Sequence, residues 1–425
     1  MTRLTSSPAP TPTPVREPSV GLVGGAESAL RVRATDAHGW LEARRMEATA
    51  WFRAHGLPKQ DDEAWRFTPT RDVTRAAYAF RAANLRATLG AASGVEVRSL
   101  ADVLGSEPGR VEPYLGRVAA IRDGFSALNA ALWEDGIVVF AARGAKGRVE
   151  VTSAVDAGEP TLVLPRLLVV AEQGSDLAIV ESLGGAARET ADVGHLSAAV
   201  TEIVVGEGAR VEHVRIQNGL RGAASVAAVG VQQGRSSHYA SRVFTFGGSL
   251  SRLDLHVTLG GEGAECLLDG VYFAGHGELV DHHTTIDHMV PRCSSRERYK
   301  GALDGTGTAV FDGTVLVRHG AAGTAAHQEN RNLLLSGDAV LHTKPHLRID
   351  ADDVKCSHGA TVGRLDPAQL FYLRSRGMNA GIARSLLTYA FLREMTENVP
   401  EDLRAELDDR IAELLPDGRA AKELA

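Results

Sequence analysis

QENRNLLLSGDAVLHTKPHLRIDADDVKCSHGATVGRLDPAQLFYLRSRG, residues 328–377, contains a change of texture that organises the whole chain. Up to Gly363 it consists of short β-type runs broken by turn residues such as Ser336-Gly337-Asp338 and Asp350 to Asp353. Runs of this length bounded by Gly, Asp, Asn or Ser read as strands. At Asp366-Pro367 the pattern becomes helical, with an N-cap acid followed by proline at the first helical position. Gly377 then stops that helix, as a left-handed C-terminal glycine does.

The β-type texture extends back to about Gly136. Ile137-Val138-Val139-Phe140, Leu167-Leu168-Val169-Val170, Ile203-Val204-Val205 and Thr314-Val315-Leu316-Val317 are typical runs. A glycine, one or two small or polar residues and then a strand recur at Gly174, Gly208, Gly234, Gly263, Gly307 and Gly337. Differences between successive positions are 34, 26, 29, 44 and 30, and Gly277 splits the long one into 14 and 30. A loose period of roughly 30 residues, without helices between the strands, predicts a β-solenoid. A jelly roll or sandwich is the structural alternative. The composition agrees: 45 of 425 residues are Gly and only 22 are aromatic. Thin aliphatic layers are expected inside the coils, with no room for large rings.

On either side the chain reads helical. Residues 1–25, rich in Pro and Thr, are expected to be a disordered tail. Residues 26–135 form a mostly helical region in which 80–130 has no clear pattern. Residues 136–362 are the β core and 363–425 a C-terminal helical domain. Helices are expected at about 380–397 and 401–415, the latter with Leu403, Leu407, Ile411 and Leu414 along one face. Asp61-Asp62-Glu63-Ala64-Trp65-Arg66-Phe67-Thr68-Pro69 reads as a local anchor, with Trp65 and Phe67 packing the segment onto a neighbour.

The formal net charge of −7 argues against general nucleic-acid or anionic-membrane binding. Residues 397–425 alone carry nine acids and four bases. Three cysteines are too few for a disulfide framework and fit a reducing compartment. No apolar run is long enough to span a membrane, and a cytoplasmic location is expected. No GxxxxGK[ST] loop occurs, so nucleotide hydrolysis is not expected of this chain.

Three constellations could carry chemistry. In Cys356-Ser357-His358 on a strand, residues i and i+2 share a face, setting a thiol beside an imidazole. Such a pair suits a catalytic dyad or half of a soft metal or iron–sulfur site. A buried structural cysteine beside a structural histidine is the commoner case. No second pair completes four ligands, so further ligands would come from another chain. The second constellation is His276, His282, His283 and His288 with Asp281 and Asp287. On a strand His282, Thr284, Ile286 and His288 face one way, while His283, Thr285 and Asp287 face the other. That split fits no zinc spacing, and a solvated or interface strand is expected. Asp350, Asp352 and Asp353, the third set, could serve a solenoid lyase or hydrolase, but acids at strand ends more often cap turns.

The NRNLLLS segment, the TKP to ADDV run, CSHGATVG and FYLRSRG resemble the SufB/SufD family of iron–sulfur cluster assembly scaffolds. The Cys356–Thr361 form is similar to the SufD branch, since the SufB branch carries an acid-bearing H-E-A-T variant there. DDEAWRFTP at 61–69 is similar to the family's N-terminal motif. The resemblance implies a right-handed parallel β-helix with helical regions at both ends, acting as a non-catalytic scaffold. It implies pairing with a SufB-like paralogue and docking of a SufC-like ABC ATPase on the C-terminal domain. Phe371, Tyr372, Arg374, Arg376 and Leu386 are the docking residues expected. A transient iron–sulfur cluster would be shared at the paired interface through His358, with Cys356 as a further ligand. Sulfur would arrive from a cysteine-desulfurase system by way of the partner, and reduced flavin is a candidate electron source.

Overall fold

The structure is a computed structural model that describes residues 2–5, 21–155, 158–184, 194–219 and 222–425. Most of the expected N-terminal tail lies outside the described residues. The helix Leu22–Val32 begins before the expected boundary at 26, and Thr2–Thr5 pairs with the strand Asn84–Ser99.

The core is a parallel β-solenoid built from two columns of strands. From Leu196 to Ile349 each strand is ten residues long. Each bonds the strand two places away in sequence rather than its neighbour, so every coil contributes one strand to each column. In one column Lys146, Asp176, Arg210, His238, Glu265, Ser294, Ala325 and Lys355 stand in register, which gives seven turns. The shortest coil runs from Ala224 to its partner Leu250, and the longest from Asp176 to Arg210. The glycine periodicity is this coil length. The interval of 14 to Gly277 arises because Gly263 precedes a strand of one column and Gly277 a strand of the other.

The turn entering the first column fixes one backbone conformation at each coil. Gly144, Gly174, Gly208, Ser236, Gly263, Arg292, Gly323 and Asp353 stand two residues before the in-register positions Lys146 to Lys355, and all have positive φ. Glycine adopts that conformation at no steric cost, whereas a side chain is strained there. Three coils carry the strain at Ser236, Arg292 and Asp353, with φ of 50°, 57° and 55°. Asp353 is thus a turn residue, as expected of the acids at 350–353.

The interior is mostly Val, Leu, Ile and Ala. The expectation that large rings do not fit needs correction. Tyr239, Tyr272, Tyr299 and Phe311 lie wholly inside. Glycines opposite make the room: a Cβ on Gly270 would stand 2.1 Å from the Tyr299 ring, and one on Gly301 2.1 Å from the Tyr272 ring.

A cap of helices, chiefly Gly39–His55 and Gly124–Leu132, packs over the outer face of the second column. The otherwise unpatterned 80–130 region contains the long strand Asn84–Ser99, antiparallel to Ile137–Ala154. The 61–69 segment anchors the cap as expected. Trp65 is buried with the Arg252 guanidinium 3.8 Å above its ring, the Thr68 hydroxyl donates to Asp281, and Phe67 stacks on His342. At the other end the helices Pro367–Ser375, Ala380–Arg393 and Glu401–Leu414 follow the last strand. Asp366 accepts from the Ala368 N–H and Gly377 has φ +89°, matching both predicted signals.

Candidate functional site

The strand Lys355–Gly363 is the last rung of the solenoid. It bonds Ala325–Leu334 on one edge, and among the described strands nothing pairs its other edge. An unpaired edge offers a row of free N–H and C=O groups to another chain. The rung's side chains are mostly exposed, and Val340, Ile349 and Val362 stay more than 40% exposed around it. These are apolar residues left uncovered on the last strands of the two columns, whose earlier coils mostly bury such residues.

Cys356 and His358 sit on this rung, two residues apart, opposite Ala326 and Gln328. Cys356 is half-buried against the core, and burial pushes its thiol pKa up. His358 is exposed. A shielded thiol and an open imidazole are therefore neighbours on one edge, as the strand spacing requires. The other two cysteines are elsewhere. Cys266 and Cys293 are buried inside earlier coils, with their thiol pKa values also raised by burial. Among the described residues no three His, Cys, Asp or Glu side chains group as a metal site. Iron held by Cys356 and His358 would take its remaining ligands from outside these residues.

Beneath the rung lies a polar interior. Gln328 is fully buried and donates from Nε2 to Glu297 Oε2 at 2.6 Å. Glu297 is also fully buried, and burial pushes its carboxyl up to about 7. Asn330 donates to the Tyr272 hydroxyl and Asn332 to Asn330, with Thr343 donating to Asn330 as well. These residues were missed as a site. The signal was present in Gln328, Asn330 and Asn332, which alternate at the period that sends all three inward.

The histidine stretch differs from expectation. Its two faces separate as read, but of its histidines only His276, in the turn before the strand Leu279–His288, is exposed. His282 and His288 are buried inside the solenoid. His282 meets the edges of Tyr272 and Tyr299, and its Nε2 bonds Thr245. Burial lowers both imidazoles to about 4, so both are neutral at pH 7. Asp281 is sealed beneath the cap between Arg252 and His283. Beside it a cleft of about 400 Å³ opens between cap and sheet, and its Arg252 and Asp254 walls are paired to each other.

Of the residues expected to dock a partner, Phe371 is 74% and Tyr372 62% exposed, Arg374 and Arg376 are exposed, and Leu386 is half-buried. The helix Pro367–Ser375 buries none of its residues. The apolar stripe expected on the helix Glu401–Leu414 is already occupied. Leu403, Leu407 and Ile411 pack with Phe244, Phe246, Val271 and Phe273 on the outer flank of the solenoid. Several of the acids nearby are also paired internally, Asp402 with Arg148 and Asp408 with Arg393.

Residues 153–391 match the core domain described as SUF system FeS cluster assembly, SufBD core domain, and residues 79–152 match the SufBD protein N-terminal region. An iron–sulfur cluster assembly SufBD family protein of Synechocystis is 34% identical over 316 residues, 72% of this chain and 70% of that protein. The iron–sulfur cluster assembly protein SufD of Escherichia coli is 40% identical over 179 residues, 42% of each chain. A SufBD family protein of Mycobacterium tuberculosis is 29% identical over 356 residues, 81% of this chain and 86% of that one.

Proposed function

The chain belongs to the SufBD family of SUF iron–sulfur cluster assembly proteins, and from that premise we propose that it is a SufD-type, non-catalytic scaffold subunit. The observation that carries the reading is the open last rung, with exposed His358 beside half-shielded Cys356. In the proposed complex a SufB-like paralogue covers this rung and buries Val340, Ile349 and Val362. The nascent cluster is cargo held between the two chains. A neutral imidazole suits iron, and a thiol binds it by losing its proton. His358 is the ligand proposed from this side, and Cys356, nearer the core, is the second. Burial in the pair would exclude water and oxidant.

The proposed dock for a SufC-like ABC ATPase is the helix Pro367–Ser375, where Phe371 and Tyr372 supply aromatic anchors and Arg374 and Arg376 a polar rim. Aromatic residues and arginine are the side chains that dominate such interfaces. Leu386, half-buried on the following helix, would lie at the edge of that contact. Helix motion passed through Ala380–Arg393 to the solenoid would open the rung for release. Sulfur from a cysteine-desulfurase system and electrons from reduced flavin are assigned to the rest of the complex, and the cytoplasm is the proposed location. No helix among the described residues is long and apolar enough to cross a membrane.

The test is co-expression with the candidate paralogue and ATPase, then anaerobic reconstitution of the purified complex with ferrous iron and sulfide. His358→Ala is expected to leave the complex assembled and abolish the cluster's visible absorption. A normal cluster yield in that variant would overturn the assignment of His358.

A further inference from the structure

Gln328 stands directly below His358 in the parallel ladder. Neighbouring rungs are about 4.8 Å apart, so stacked long side chains can reach each other. The Gln328 amide has two different ends. Its Nε2 is committed downward, donating to Glu297 Oε2 at 2.6 Å. Above its raised pKa Glu297 is ionised and only accepts hydrogen bonds, so under the alkaline conditions of the test this contact fixes which end of the amide faces it. Its Oε1 is fully buried and has no hydrogen-bond partner among the described residues. An orphaned buried carbonyl is costly, and native interiors rarely leave one.

The rung above holds one ring with N–H to give. His358 makes no hydrogen bond among the described residues, and its side chain is free at the exposed end. We propose that Gln328 is a positioning residue for His358: its Oε1 accepts the ring N–H, fixes the tautomer and leaves the other ring nitrogen pointing out of the solenoid. Imidazoles that bind metal are generally held by a carbonyl or carboxylate on the second nitrogen, which sets ring orientation and basicity. Here Glu297 holds Gln328 and Gln328 holds His358, a relay of orientation along three consecutive rungs. The inference rests on the proposed role of His358 for its purpose, but not for its geometry.

The experiment uses the full chain labelled with ¹⁵N in its histidine rings, and long-range ¹H–¹⁵N correlation above pH 8. His358→Gln assigns the signal. In the unmodified chain His358 is expected to show one pyrrole-type and one pyridine-type nitrogen. A pair of averaged signals, as in a freely turning histidine, would overturn the inference without any variant. Gln328→Leu is expected to collapse the two signals toward the average while the melting curve remains cooperative. In the reconstituted complex the same variant should weaken retention of iron by about 10- to 100-fold. A fixed tautomer surviving in Gln328→Leu would assign the hold to another group and refute the proposal. The two readings fail separately. A fixed ring with cluster yield indifferent to His358→Ala would sink the scaffold site alone, and a freely averaging ring with yield lost in His358→Ala would sink only the Gln328 contact.

Discussion

Replacing Glu297 by Gln should stabilise the protein at neutral and alkaline pH and do little in acid. Glu297 is completely buried, and no cation pairs with it among the described residues. Burial without a counter-charge moves its carboxyl from 4.5 up to about 7. Between those values the folded chain keeps a proton that the unfolded chain has released. Stability attributable to this group therefore falls as pH rises through the window. At about 1.4 kcal/mol per pH unit the loss sums to about 3 kcal/mol by pH 8. Glutamine has the same shape, still accepts the Gln328 N–H and carries no charge at any pH. Urea unfolding of both chains from pH 4 to pH 8.5 measures the difference, in which other titrating groups cancel. The variant's advantage should be smallest near pH 4 and grow to about 3 kcal/mol by pH 8. Parallel stability curves for the two chains would refute the reasoning, since they would mean that the carboxyl titrates alike folded and unfolded.

Gly270→Ala should lower stability by at least about 1–3 kcal/mol, because the new methyl enters the Tyr299 ring. Gly337→Ala, where an added Cβ meets nothing within 4 Å, should leave the melting temperature nearly unchanged. Asp281→Ala would strip the buried Arg252 of a partner it holds beneath the cap, with an expected loss of about 3–5 kcal/mol in chemical denaturation. Thiol labelling followed by peptide mapping should find Cys356 modified first in the native chain, and Cys266 only on unfolding. Equal rates for the two would contradict their different burial.

The architecture was legible because a solenoid writes its coil length into its turns. A left-handed residue stands two positions before each in-register residue of one column, and glycine fills most of those positions. The same rule hid part of the pattern, since Arg292 and Asp353 accept the strain and leave no glycine to count, while at the Ser236 turn the glycine counted is Gly234, two residues earlier. The aromatic interior was misjudged for a related reason. Gly270 and Gly301 lie mid-strand rather than in turns, and they make space for rings contributed by the neighbouring coil. That complementarity joins residues a full coil apart in sequence and leaves no local trace.

By itself the sequence determined the strand period, the helix signals at Asp366 and Gly377, the anchor at Trp65 and the shared edge of Cys356 and His358. Each of these is set by the backbone geometry of a few adjacent residues. Only the tertiary structure decided which surfaces remained available. It committed the Leu403–Ile411 stripe to the solenoid flank, buried His282 and His288, left Phe371 and Tyr372 outside, and aligned Glu297, Gln328 and His358 on successive rungs. Burial and stacking depend on what the rest of the chain places against a residue, and a linear pattern does not contain that information.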